Sequence, residues 1–178
     1  MKYMLLVGLS GLLFLLSCYP PQAVHNQGVS ISPVNDYLES HRPQYHFSPD
    51  SMWMNDPNGM VYYDGEYHLF YQHYPEGDVW GPMHWGHAVS EDLVHWKNLP
   101  IALYPDKLGM IFSGSSVVDW NNTASFQTGE EKTLVAIFTH HLMEGEKAGR
   151  DDFQYQSLAY SNDRGRTWEK YSHNPVLD

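Results

Sequence analysis

Hydrophobic and polar residues change rhythm twice along this chain. Lys2 precedes an apolar run from Met4 to Leu16, too short to span a bilayer and of the length of a signal-peptide core. From Tyr19-Pro20-Pro21 to about Ser40 the residues are polar and turn-rich, as in a tether. Beyond residue 45, short aromatic and β-branched stretches alternate with turn residues, and no helical period is evident. The first round of expected strands is Met60–Tyr63, Tyr67–His73, His84–Ser90 and Trp96-Lys97, the last followed by a proline-containing connection. A second round starts near Ile111, with strands at Phe112–Asp119, Thr133–His140, Gln154–Tyr160 and Thr167–Tyr171. Asp64-Gly65, between the first two, is a strong signal for a tight hairpin.

Each round closes on a similar polar turn that ends in tryptophan: Ser90-Glu91-Asp92-Leu93-Val94-His95-Trp96, then Ser161-Asn162-Asp163-Arg164-Gly165-Arg166-Thr167-Trp168. The second matches the Ser-x-Asp-x-Gly-x-Thr-Trp "Asp box" that turns between outer strands of sialidase-type propeller blades. Its physics is structural, because Asp163 can satisfy turn N–H groups, Gly165 turns the chain and Trp168 anchors it. Two four-stranded rounds with a periodic turn predict an all-β fold of β-propeller blades, at about 40–50 residues each. Residues 1–17 are expected to form a signal peptide, 18–44 a tether, and 45–178 about the first two blades of an incomplete propeller that stops before the third.

The formal charge is −11, and removing residues 1–17 takes away Lys2 to leave −12. That argues against nucleic acid and anionic membrane surfaces as partners, while a neutral substrate is indifferent to such a field. Aromatic residues make up 15% of the chain, which suits both a β-sheet core and the packing of rings on sugar faces. Cys18 is the sole cysteine, so no internal disulfide can form.

The densest chemistry lies in Trp53-Met54-Asn55-Asp56-Pro57-Asn58-Gly59, where a carboxylate stands between two amides among aromatics. Hydrogen-bond donors at such a place favour the ionised acid that a carboxylate nucleophile requires. Taken alone, Asp-Pro-Asn-Gly reads as a turn. The residues downstream change that reading: Phe70-Tyr71-Gln72, then Trp80-Gly81-Pro82-Met83-His84-Trp85-Gly86-His87-Ala88, then Ile111-Phe112-Ser113-Gly114-Ser115.

From about His46 onward this ordered set resembles the amino-terminal part of glycoside hydrolase family 32, the β-fructosidases: levanases, inulinases and invertases. The resemblance implies a five-bladed β-propeller and retaining hydrolysis of β-D-fructofuranosyl bonds in levan, inulin or sucrose. Asp56 is then the nucleophile that forms a covalent fructosyl-enzyme. Asn55, Gln72, Trp80, Phe112 and Ser113 match substrate-binding positions, and Trp85 is expected to pack in the core or the pocket wall. The form Gly-Pro-Met-His-Trp-Gly-His-Ala is closest to levanases and exo-inulinases, which favours a fructan. Two further family carboxylates have no counterpart here. One is the Asp of an Arg-Asp-Pro motif; the other is the acid/base Glu that precedes a cysteine. Arg150-Asp151-Asp152 lacks the proline, and Glu130, Glu131, Glu144 and Glu146 read as solvated surface. The site is therefore expected to be incomplete within these residues, because the chain stops about where Arg-Asp-Pro should begin.

No cofactor is expected. Neither His84 and His87 nor His140 and His141 converge on a regular strand, so no metal site is expected either. Leu15-Leu16-Ser17-Cys18 resembles a bacterial lipobox, which implies acylation at Cys18 and a membrane-anchored lipoprotein at the cell surface or in the periplasm. In that setting the sequon Asn121-Asn122-Thr123 is idle. Two other readings stay open on the sequence alone: a catalytically dead fructan-binding lipoprotein, and a related five-bladed glycosidase acting on arabinan or xylan. The sequence leaves the oligomeric state undetermined.

Overall fold

The computed structural model describes residues 38–177; the expected signal peptide, most of the expected tether and Cys18, the expected lipidation residue, lie outside them. Eight strands form two four-stranded antiparallel sheets, each a simple meander. The first holds β1 (Trp53–Tyr63), β2 (Glu66–Tyr74), β3 (His84–Ser90) and β4 (Lys97–Leu103). The second holds β5 (Met110–Asp119), β6 (Thr133–His141), β7 (Gln154–Ser161) and β8 (Glu169–Lys170). One short helix, α1 (Met143–Lys147), interrupts the link from β6 to β7. Among the described residues no helix is long and apolar enough to cross a membrane.

The hairpin expected at Asp64-Gly65 forms, with φ of 49° and 91° at the two turn residues. Positive φ at both positions gives the turn a twist that matches the flanking strands. Alternate residues of β2 and β3 then enter one core: Phe70 and Trp85 meet Ile111, Ala136, Phe138 and Ala159 of the second sheet. Trp168 packs edge-on against Phe70, with ring centroids 5.3 Å apart. Each of the larger buried side chains, such as Phe70, Ile111 and Phe138, contributes roughly 1.5–3 kcal/mol by leaving water.

Four expectations about elements need correction. β1 starts at Trp53 rather than Met60, so the Asp-Pro-Asn-Gly segment is strand and not a free turn. β1 is an edge strand and carries two bulges, which is where a strand tolerates a proline such as Pro57. The expected two-residue strand at Trp96-Lys97 instead begins at Lys97 and runs through Pro100 to Leu103, on the opposite edge. Its register is broken between Trp85↔Leu103 and His87↔Leu99, so Pro100 sits where the ladder is irregular. The expected strand Thr167–Tyr171 shrinks to Glu169–Lys170 because the Asp turn claims the residues before it. Thr167 N and Oγ1 both bond to the Asp163 carboxylate, at 2.9 and 2.6 Å, and Trp168 Nε1 donates to the Gly165 carbonyl at 3.1 Å. Helix α1, five residues long, is too short to produce a legible period.

The first Asp turn has the same construction. Val94 N and His95 N bond to Asp92 Oδ1 at 2.9 and 2.7 Å, and Trp96 Nε1 donates to the Leu93 carbonyl at 3.2 Å. Ahead of β1, Arg42 ties the chain down: its guanidinium grips Glu39 and also reaches the Ser48 hydroxyl and the carbonyls of Pro49 and Asp50.

Candidate active site

The site is built where the first strand of one sheet meets the first strand of the other. In β1 the register passes from Met54↔His73 to Pro57↔Tyr71, which leaves Asn55 and Asp56 together opposite the single residue Gln72. In β5 it passes from Phe112↔Thr139 to Gly114↔Phe138, with Ser113 as the extra residue. A bulge bends its strand and re-aims a side chain that a regular pleat would direct elsewhere. Here the two bulged residues find each other: Ser113 Oγ donates to Asp56 Oδ2 at 3.3 Å.

Around that pair the sheets are stitched by polar contacts. Gly114 N donates to Asn58 Oδ1 at 3.3 Å, and the Ser116 hydroxyl donates to the Gly59 carbonyl in a very short bond. Ile111 N bonds the Met83 carbonyl at 2.9 Å. Gly59 has φ of +49°, and a Cβ there would lie 2.9 Å from the Phe70 ring, so both the conformation and the space require glycine. Trp85, fully buried, donates its indole N–H to the Phe112 carbonyl at 3.0 Å and thus forms the wall beneath the site, as expected.

Gln72 is only 3% exposed and its Nε2 has no hydrogen-bond partner among the described residues; the same holds for Asn58 Nδ2. An unpaired buried amide is costly, so these two donors next to the Asp56 bulge are ready to meet acceptors. Asp56 itself is solvent-exposed. Its hydrogen-bond partner is the Ser113 hydroxyl, while Asn58 Oδ1 accepts from Gly114 N instead.

Of the residues singled out in the sequence, Asn55, Asp56, Gln72, Phe112 and Ser113 meet at this junction. Trp80 does not join it by a hydrogen bond or ring contact. It sits on the link from β2 to β3, 49% exposed, and lines a neighbouring cavity of about 550 Å³ with Pro82, Met110, His141 and Glu144. Asn58, one of the two amides that flank Asp56 in the sequence motif, is a participant that was not matched there to a substrate-binding position.

Three buried histidines, His68, His87 and His140, serve the packing of the core. His68 Nδ1 and His87 Nε2 lie 3.0 Å apart in the core, and burial pulls His68 down to about 4 and His87 well below the usual imidazole value. His140, also lowered by burial to about 4, has Nδ1 2.7 Å from the Ser157 hydroxyl. Among the described residues no group of three or more His, Cys, Asp or Glu side chains could hold a metal ion.

An all-β scaffold that presents a carboxylate, a hydroxyl and two unpaired amide donors at one strand junction has the makings of a carbohydrate-processing site. Residues 46–178 match the glycosyl hydrolases family 32 N-terminal domain, and the chain belongs to that family. It is 66% identical over 141 residues to a levanase from Bacillus subtilis, covering 79% of this chain and 20% of that protein. The crystal structure of exo-inulinase from Aspergillus awamori superposes with a TM-score of 0.70 at 46% identity, covering 80% of this chain and 30% of that one. Fructofuranosidase from Schwanniomyces occidentalis, solved in complex with fructose, gives 0.68 at 44% identity over 77% of this chain and 27% of that one. The chain thus spans less than a third of the length of these relatives.

Proposed function

We propose that the protein carrying this chain is a retaining β-fructosidase whose substrate is a fructan, levan before inulin or sucrose. The observation that supports this most is the pairing of two strand bulges that brings Asp56 to Ser113 beside the unpaired amide of Gln72. On this reading Asp56 attacks the anomeric carbon of a β-D-fructofuranosyl unit. The glycosidic C–O bond breaks, and the departing oxygen takes a proton from a general acid. Water then releases fructose from the covalent intermediate, with that same group now acting as base. Ser113 holds the Asp56 carboxylate in line, Gln72 and Asn55 read sugar hydroxyls, Phe112 contacts the sugar, and Trp80 offers an indole face at the rim. The scaffold is read as two blades of a five-bladed propeller, which the repeated Asp turns support.

These residues contain no Arg-Asp-Pro and no Glu-Cys, so we read the 178-residue chain as inactive by itself. The test is release of free fructose from levan, inulin and sucrose by this chain and by the full-length gene product, side by side. Release by the full-length product alone supports the reading. Release by the short chain assigns the acid/base to a surface carboxylate such as Glu130, Glu131, Glu144 or Glu146. A full-length product that cuts arabinan but not levan overturns the family of substrates. Lipid attachment at Cys18 is proposed on the Leu15-Leu16-Ser17-Cys18 pattern, and Cys18→Ala should then release the protein from membranes.

A further inference from the structure

His141 is the second half of a histidine pair whose sequence suggested nothing beyond alternation along a strand. It is 3% exposed, at the last position of β6, and both ring nitrogens are engaged. Gln154, its direct partner on β7, brings Nε2 to His141 Nδ1 at 3.0 Å, and Glu146 of α1 brings Oε2 to His141 Nε2 at 3.0 Å. A carboxylate only accepts, so Nε2 carries a proton and donates to Glu146, while Nδ1 accepts from the Gln154 amide. Glu146 lies at the surface, as the sequence reading has it, and is at the same time the outer half of a clamp.

That clamp fixes the plane of the imidazole, and the plane has a use. The Phe112 ring lies on it with centroids 4.3 Å apart and only 10° between planes. Phe153 closes the imidazole from the side at 5.5 Å and 83°. The Phe112 carbonyl is held in turn by Trp85, and the next residue is the bulged Ser113 that bonds Asp56. At Gly109 the φ is +127° and a Cβ would strike the His141 carbonyl, so the backbone behind the ring is tightly packed too.

We propose that His141, clamped by Gln154 and Glu146, is a positioning residue that sets the angle of the Phe112 ring toward the fructosyl unit. This rests on the β-fructosidase reading above. His141 touches no reacting atom; it acts through Phe112, so its loss weakens binding of ground state and transition state alike. Such a loss raises KM and leaves kcat nearly unchanged.

The test measures fructose release from levan by the full-length protein and its variants, with melting temperature recorded for each. His141→Ala should raise KM about tenfold, with kcat within about threefold, the size expected for loss of an aromatic stack. His141→Phe restores a flat ring and should bring KM back to within about threefold of the unsubstituted protein. Glu146→Ala, at an exposed position outside the core, should raise KM about threefold without moving the melting temperature. Unchanged KM in folded His141→Ala, or in Glu146→Ala should the former fail to fold, overturns the proposal. A Phe variant as impaired as the Ala variant does the same. Unsubstituted protein inert on levan, inulin and sucrose overturns the functional reading first and this inference with it, so the two failures are distinguishable.

Discussion

The two sheets are the same device executed with different depth. Each begins with a strand whose bulge turns a polar residue to the junction, Asp56 from β1 and Ser113 from β5. Each enters its fourth strand through an aspartate turn whose tryptophan donates its indole N–H to a carbonyl three residues back. Yet Trp168 inserts against Phe70 between the sheets, whereas Trp96 packs beside Phe47, 5.7 Å away, on the far face of the first sheet. The local chemistry of a turn therefore does not tell how much stability hangs on it. Its position relative to the neighbouring sheet decides that.

The widest separation between the two halves is expected in catalysis. Asp56→Asn in the full-length protein should lower turnover of levan more than a hundredfold while sparing the fold, since the swap is nearly isosteric. Ser113→Ala removes only a hydrogen bond to a charged group and should cost about ten- to a hundredfold in kcat/KM. An Asp56→Asn variant that keeps more than a hundredth of the activity removes Asp56 from the nucleophile role. Equal effects at both positions would erase the distinction between the bulges.

Next in size is the contrast between the turns. Trp168→Ala should cost about 3 kcal/mol in urea unfolding, because its half-buried ring packs against the core cluster. Trp96→Ala should cost about 2 kcal/mol or less, because its ring contacts lie on an outer face. Equal costs would mean that the two turns carry the same load after all.

Last is an acid effect shared by both sheets. His68 and His87 in the first and His140 in the second are held neutral by burial, two of them to about 4. Unfolded imidazoles take a proton near 6.5, so between about pH 6.5 and 4 the unfolded chain binds more protons than the folded one. Stability should be flat above that window and fall as pH drops through it, and the melting temperature should fall with it. His87→Gln should flatten the slope, and a slope that stays unchanged would move the cause elsewhere.

Much of this molecule is legible in its residues taken in order. The aromatic and apolar stretches Tyr67–His73 and His84–Ser90, bounded by turn residues, mark strands of nearly the observed length, because such side chains favour a pleated, buried surface. Asp64-Gly65 specifies its hairpin through backbone sterics alone, and Ser161–Trp168 specifies a turn closed by its own side chains. The motif around Asp56 marks the site residue types and, with the segments that follow it, the family.

What the order of residues does not carry is where bulges fall. A bulge shifts register by one residue, and its stability comes from the partner strand, so Asp56 opposite Gln72 and Ser113 out of line with Thr139 and Phe138 become visible only once strands are paired. The same holds for Pro57 and Pro100, which read as breaks locally and are accommodated because they lie on sheet edges. It holds most for His141, whose stack on Phe112 and clamp by Glu146 join residues from two strands and a five-residue helix. Local sequence determined the elements and the chemistry available, since sterics and hydrogen bonding within a few residues suffice for both. Tertiary structure decided which of those groups face one another, because only packing across the two sheets turns a list of polar side chains into a site.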